Sequence, residues 1–214
     1  MGEGCPLCAG QALAYHRDEQ RAYLQCTRCE LVFVAPQDRI DRRAEFALYC
    51  LHENSVDDPG YRQFLQRLAG PLCERLAPAS RGLDFGCGPA PALAAMLEEA
   101  GHRVALHDSF FSPAPELLEQ RYDFITATEV VEHLHRPGPV LAQLWDCLLP
   151  GAWLGVMTKL VRDREAFAGW HYKRDPTHVC FFSRATWRFW ADQRDAEPLF
   201  PADDVMLMRK PLLR

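Results

Sequence analysis

The sequence predicts an α/β fold: a doubly wound, mostly parallel sheet with helices on both faces, preceded by a small cysteine-held module. Three observations carry this. From residue 61 onward, apolar strand-like runs alternate with segments of helical periodicity. One of the runs ends in the acid–glycine turn "DFGCG" at 84–88. Two C-x2-C pairs stand ahead of all of this, at 5–8 and 26–29.

The cysteine module comes first. "CPLC" and "CTRC" are separated by seventeen residues. Each pair fits a tight turn that points two thiolates at one ion, and two such knuckles give the tetrahedral four-sulfur site that zinc prefers. "RAYLQC" and "ELVFVAP" read as short strands, so residues 1–35 resemble a zinc ribbon with Cys5, Cys8, Cys26 and Cys29 as ligands. So small a segment has little core, and a structural Zn2+ would supply much of its folding free energy. Ribbons that dock on nucleic acid tend to be basic. Residues 1–43 carry six arginines against six acids, which favours a structural or substrate-shaping role at least as much as RNA docking. Cysteines 50, 73, 87, 147 and 180 stand among apolar neighbours and are expected to be buried small hydrophobes.

Residues 36–60 form a charged connector. Tyr49, His52, Asn54 and Tyr61 make a polar and aromatic group there that could fold over a ligand as a lid or lie in a surface turn. The main domain, 61–214, opens with Tyr61, Phe64, Leu65, Leu68, Leu72 and Leu76 at helical spacing, which predicts a helix over 61–76. "RGLDFG" is a buried strand, and "PALAAMLEEAG" is a helix that Gly101 stops. "HRVALHD" and "YDFITAT" are strands, "VLAQLWDCLLPG" is a helix and "AWLGVMT" is a strand. The tail "DDVMLMRKP" reads as a last strand, an antiparallel edge.

Of the 214 residues, 48% are hydrophobic, enough for one buried domain and a small appendage. No apolar run approaches the roughly 18 residues of a membrane span, and no membrane partner is expected. "MGEGCPLCAG" lacks the basic and apolar regions of a secretory signal, so a cytoplasmic location is expected and disulfides are not. The net charge of −5 argues against general affinity for nucleic acid.

In such sheets ligands bind at the carboxyl ends of the strands. Gly86 and Gly88 permit a sharp turn and close approach of a flat ligand. Asp108, twenty residues after Gly88, stands at the end of the second strand, where an acid accepts hydrogen bonds from ribose hydroxyls. A dinucleotide would also need backbone N–H groups for its pyrophosphate. Pro89 and Pro91 each remove one, and Pro91 holds the place of the third glycine in G-x-G-x-x-G. An adenosine ligand without phosphate fits better. S-adenosylmethionine is one, and its cationic groups suit Asp84.

"LDFGCGPAP", "HD" at 107–108, "YDFITATEVVEHL" and "LLPG", in that order, resemble the class I S-adenosylmethionine-dependent methyltransferase core over roughly residues 60–210. The resemblance implies a Rossmann-like sheet with Asp84, Gly86 and Gly88 at the methionine end of the cofactor and Asp108 on its ribose. Glu129, at the end of the next strand, joins this cofactor-binding set. Two places depart from the family pattern, Ala90 and Ala152, where the family often has glycine.

"EVVEH" at 129–133 follows directly on a strand and so lies at the ligand end of the sheet. If the turn is helical, Glu129, Glu132 and His133 share one face. The stretch is similar to the E-x-x-E-H segment of quinone-biosynthesis O-methyltransferases and of small-RNA 2′-O-methyltransferases. That implies a second divalent ion on Glu129, Glu132, His133 and a downstream histidine, for which "RDPTHVCFFS" offers His178. The alternative is that the acids only cap or orient the turn. His178, with His133 second, is the candidate base. Methyl transfer otherwise needs mainly alignment and exclusion of water.

Residues 170–190 are rich in aromatics, and 159–188 hold seven basic residues against three acids. That balance suggests a cover over an anionic acceptor, or alternatively a packed core with a solvated face. The function expected is methyl transfer to a small or medium-sized acceptor. The alternatives are an rRNA or tRNA methyltransferase docked through its ribbon, and a non-catalytic cofactor-binding scaffold.

Overall fold

The computed structural model describes residues 4–51 and 55–212. His52 and Asn54 of the connector lie outside the described residues.

The cysteine module forms β1 (Ala12–Arg17), β2 (Ala22–Cys26) and β3 (Val32–Val34). All three pair antiparallel, and β3 pairs onward with β8 (Cys180–Phe181) to complete a four-stranded sheet. The connector is a 3-10 turn at Pro36–Asp38 and then α1 (Arg42–Tyr49), capped by Asp41, whose side chain accepts from the Ala44 N–H.

The main sheet is built from β4 (Arg81–Phe85), β5 (Arg103–His107), β6 (Tyr122–Thr128), β7 (Leu148–Met157), β9 (Pro198–Ala202) and β10 (Val205–Arg209). Its strand order is β5-β4-β6-β7-β10-β9. The first four strands are parallel, and β10 runs antiparallel to both of its neighbours. The tail strand is therefore not the edge, contrary to expectation. The edge is β9, where Pro198 and Pro201 obscure the strand pattern, and an edge is where a sheet tolerates proline.

Helices α2 (Pro59–Cys73) and α3 (Ala92–Glu99) cover one face through Leu65, Leu68, Leu72, Leu93 and Leu97. The first starts earlier than its apolar spacing predicts, because Asp58 caps it and Pro59 pre-sets its first turn. On the other face lie α4 (Pro137–Cys147) and α6 (Arg184–Asp192), while α5 (Arg164–Ala168) packs through Phe167 on the four-stranded sheet. Capping of α6 is reciprocal between Ser183 and Thr186.

The core on this second face runs without a break from the cysteine module into the main domain. Tyr23, Val32 and Phe33 share one buried cluster with Phe181, Phe182, Trp187, Leu141 and Ile125. Of the cysteines expected to be core, Cys147 and Cys180 are buried and Cys73 and Cys87 partly so. Cys50 is exposed, because α1 buries none of its residues. Among the described residues no helix is long and apolar enough to cross a membrane.

The first cysteine knuckle docks on the start of α4. The Gly138 N–H donates to the Pro6 carbonyl at 3.2 Å. A Cβ at Gly138 would sit 2.4 Å from the Leu7 carbonyl oxygen, so only glycine allows this approach. Gly138→Ala is therefore expected to cost about 2 kcal/mol by forcing the knuckle away. Urea denaturation checks it: an unchanged midpoint would mean that the knuckle is not held against α4.

Candidate functional site

The sheet reverses direction around β4. The chain passes from β4 to β5 on one side and then to β6 on the other, and this reversal opens a crevice at the strands' carboxyl ends. The cleft there has a volume of about 1590 Å³.

One half of the cleft is built on the turn after β4. Gly86 and Gly88 have φ of 75° and 63°, the left-handed region that favours glycine. A Cβ on Gly88 would meet nothing within 4 Å, so its backbone is bare toward the cleft. Asp108 follows β5. Its Oδ2 accepts the Gly88 N–H at 3.0 Å, and its Oδ1 accepts those of Phe110 and Phe111 at 2.8 and 3.0 Å. A carboxylate with up to about four acceptor sites keeps capacity for a ligand hydroxyl. Phe85, Pro89, Phe110 and Phe111 supply apolar walls. Bare glycine backbone, a braced carboxylate and prolines in place of phosphate-binding N–H groups fit an adenosine ligand.

Asp84 is placed differently from the expectation. It is 3% exposed and stands behind the cleft wall, accepting from the Thr126 hydroxyl at 2.7 Å. Burial, with the Asp108 carboxylate nearby, pushes its pKa up to about 6, while the Thr126 bond opposes the shift.

The other half is built on the turn after β6. Glu129 has φ of 52°, and the 3-10 turn spans only Val131–His133. Glu129 therefore precedes the helical turn and does not share its face. The structure brings together Glu132, His133 and His178, whose ligand atoms lie within 4.8 Å of one another, and leaves Glu129 outside that group. Each imidazole has its Nδ1 against a backbone carbonyl, that of His133 on Thr177 at 3.2 Å and that of His178 on Tyr172 at 2.7 Å. With Nδ1 protonated, Nε2 carries the lone pair in both rings. Their centroids are 4.7 Å apart.

Sequence reasoning missed Tyr172. Its hydroxyl donates to Glu132 and lies 3.3 Å from Glu129 Oε2. Burial raises the pKa of both acids; that of Glu129 reaches about 8, with the neighbouring Glu132 carboxylate the next cause. The pKa of His178 is lowered by burial and then by His133, which keeps the ring neutral at pH 7. Among the described residues, Glu129 Oε1 and Glu132 Oε2 are buried without a hydrogen-bond partner. The orphaned Glu132 oxygen beside two carbonyl-anchored imidazoles fits a divalent cation, with Glu129 outside the donor set.

Residues of the cysteine module form part of the cleft wall through Cys5, Pro6, Leu7, Cys8 and Ala9. The four sulfurs lie within 4.8 Å of one another, with Cys5–Cys29 and Cys8–Cys26 each 3.5 Å apart. A tetrahedral zinc with bonds of about 2.3 Å would separate them by about 3.8 Å, so the set fits. The knuckles match. Leu7 and Arg28 N–H groups each donate to a cysteine sulfur at 3.4 Å, and left-handed Ala9 and Glu30 follow. The hydrogen bond from Cys29 draws the Cys5 thiol down to about 5, and Cys29 itself is pushed up. Thiolates this close need a cation between them to ionise together.

The aromatics of 170–190 are core rather than cover: Tyr172, Phe181, Phe182, Trp187 and Trp190 are buried, and none of the stretch's aromatics lines the cleft. The basic residues of 159–188 do not line it either. The arginines that do are Arg39, Arg42 and Arg136, alongside Asp41, Glu45, Asp108, Glu129 and Asp175. The lining is not cationic, so the basis for an anionic acceptor falls away. Connector residues close the rim. Phe46 of α1 stacks on Phe110 at 5.4 Å, and Tyr49 meets His133 edge-on at 5.3 Å.

A family model described as a methyltransferase domain matches residues 57–199. The chain is similar in structure to 1,6-didemethyltoxoflavin-N1-methyltransferase of Burkholderia thailandensis with bound S-adenosylhomocysteine. The TM-score is 0.51 at 18% identity, covering 92% of this chain and 99% of that one. It is also similar to magnesium protoporphyrin IX methyltransferase of Synechocystis PCC 6803, with TM-score 0.52 at 12% identity, covering 78% and 94%. At these identities the likeness concerns the fold. A search of the curated proteins found no match.

The raised pKa of Asp84 predicts a pH effect. An acid whose folded pKa lies above its unfolded value near 3.9 favours the folded state only while protonated. Stability is thus expected to fall by about 3 kcal/mol as pH rises from ~4 through ~6, a loss that Asp84→Asn escapes. Thermal melting of both proteins at pH 4.5 and 8 reads this out, and parallel shifts would refute it.

Proposed function

The chain belongs to the methyltransferase domain family and is an S-adenosylmethionine-dependent methyltransferase, and from that premise we propose that it methylates a small or medium-sized acceptor held between its cofactor turn and its paired histidines. One observation carries the proposal: a single cleft joins Gly86, Gly88 and Asp108 to His133 and His178, so donor and acceptor would share one space.

S-adenosylmethionine, when bound, supplies an electrophilic methyl on a sulfonium. The chain does the rest. Gly86 and Gly88 would give the cofactor access to backbone, and Asp108 would hold its ribose. Phe110 and Phe111 would wall its adenosine. The Asp84 carboxylate favours a cation at the cleft floor from behind it, and Glu129, whose pKa burial raises to about 8, would add its charge once a bound cation drew off its proton. Neutral His178, with Nδ1–H held by Tyr172, offers Nε2 to the acceptor's proton, and His133 stands ready as second base. Glu132, His133 and His178 would alternatively hold a divalent ion that polarises an acceptor oxygen. Cys5, Cys8, Cys26 and Cys29 would hold a structural Zn2+ that keeps the Cys5–Ala9 wall in place.

The named substrates of the two similar enzymes, a didemethyltoxoflavin and a magnesium porphyrin, are small molecules, which supports the same class here. The RNA alternative has less behind it, since the ribbon is electrically balanced and its first knuckle is turned into the cleft.

The test uses tritiated-methyl S-adenosylmethionine and a cell extract lacking the protein. Counts in the small-molecule fraction support the proposal; label released by RNase overturns it. For the cofactor half, Asp108→Asn is expected to weaken S-adenosylmethionine binding about 10- to 100-fold, the loss of a charge-assisted hydrogen bond. Calorimetry reads this directly.

A further inference from the structure

Arg21 immediately precedes β2, in a turn in which Asp18 Oδ1 accepts the N–H groups of Gln20 and Arg21 at 3.0 and 2.8 Å. It is 6% exposed, and among the described residues its guanidinium is in no ion pair. A buried charge without a counter-ion is costly and must be answered by dipoles. Here it is answered by backbone carbonyls more than 150 residues away in sequence. The guanidinium donates to the carbonyls of Lys173, Asp175 at 2.9 Å, Pro176 at 3.3 Å and His178 at 3.1 Å. A second tie runs the opposite way: Lys173 Nζ reaches back to Asp18 Oδ2 at 2.6 Å.

The segment so gripped is the one that presents the site's histidines. Its carbonyls at 172 and 177 turn the other way and accept from His178 and His133 Nδ1. Four peptide carbonyls point at Arg21 and two at the imidazoles. In an irregular segment with few ladder hydrogen bonds, fixing the first set fixes the second. Peptides free to rotate would release the Nδ1–H groups, and the rings would then sample both neutral tautomers.

We infer that Arg21 is a positioning residue. From the cysteine module it clamps the 173–178 backbone and thereby locks His133 and His178 as Nδ1–H tautomers with both Nε2 atoms presented to the cleft. This rests on the reading of those histidines as the acceptor-side groups. It also gives the electrically balanced ribbon a task, bracing the histidine segment. Lysine cannot replace Arg21, because one ammonium cannot span four carbonyls that a planar five-donor fork reaches.

The test compares full-length wild type, Arg21→Met and Arg21→Lys, each labelled with 15N-histidine, at pH 8 and below its melting temperature. Long-range 1H–15N spectra report the tautomer of each ring, assigned through single His133→Gln and His178→Gln variants. Zinc content by mass spectrometry and S-adenosylmethionine affinity by calorimetry are measured on the same samples. The clamp predicts wild-type zinc content and cofactor affinity within about 2-fold, with both histidines moving from the Nδ1–H pattern to an averaged one. Arg21→Lys should shift them in the same direction. Should Arg21→Met not fold, the lysine variant, which keeps the charge, decides alone. Unmoved tautomers beside a lowered melting temperature would make Arg21 a packing residue only and overturn the inference. Failure of wild type to bind S-adenosylmethionine would instead strike the methyltransferase reading and leave the tautomer result standing.

Discussion

The reversal of chain direction around β4 is the constraint from which the rest follows. A parallel sheet cannot cover its own carboxyl ends where neighbouring crossovers part, and the crevice left there has a volume of about 1590 Å³. Three carboxyl groups, those of Asp84, Glu129 and Glu132, stand in or beside that gap with raised pKa values, chiefly from desolvation. Burying three acids together costs stability in the ligand-free protein. A site built this way gains most from a bound cation, whether a sulfonium, an ammonium or a metal ion.

The cysteine module is tied to that crevice by packing, backbone and charge. Its core is continuous with the main domain, its third strand pairs with β8, and its first knuckle lines the cleft. Formation of a four-sulfur metal site would order the knuckle, the knuckle rests on the start of α4, and Arg21 grips the segment that carries His178. Folding free energy released at such a metal would thereby reach the His133 and His178 side of the cleft, while the glycine turn stands on the main sheet.

Where sequence reading succeeded, the physics was local. "DFGCG" announces a turn because two positions need positive φ, and Asp108 is found by counting along two strands. The cysteine spacing foretells the cluster, four sulfurs within 4.8 Å of one another. Failures came where distant parts of the chain decide. The aromatics of 170–190 and the basic residues of 159–188 have the composition of a substrate cover, yet packing turned the aromatics into core and the charges away from the cleft. Glu129 shares the E-x-x-E-H spacing with its neighbours, but a left-handed residue at the strand end rotates it out of their group.

The sequence by itself determined the α/β alternation, the glycine turn, the carboxylate after β5 and the four-cysteine cluster, since each is set by spacing along short stretches of chain. Only the tertiary structure decided that β10 lies inside β9, that Tyr172 bridges two acids, and that Arg21 holds the histidine segment. Those are contacts between residues whose separation in the chain leaves no periodic trace. What selects the last is the requirement that a buried charge and the carbonyls of an irregular loop satisfy one another.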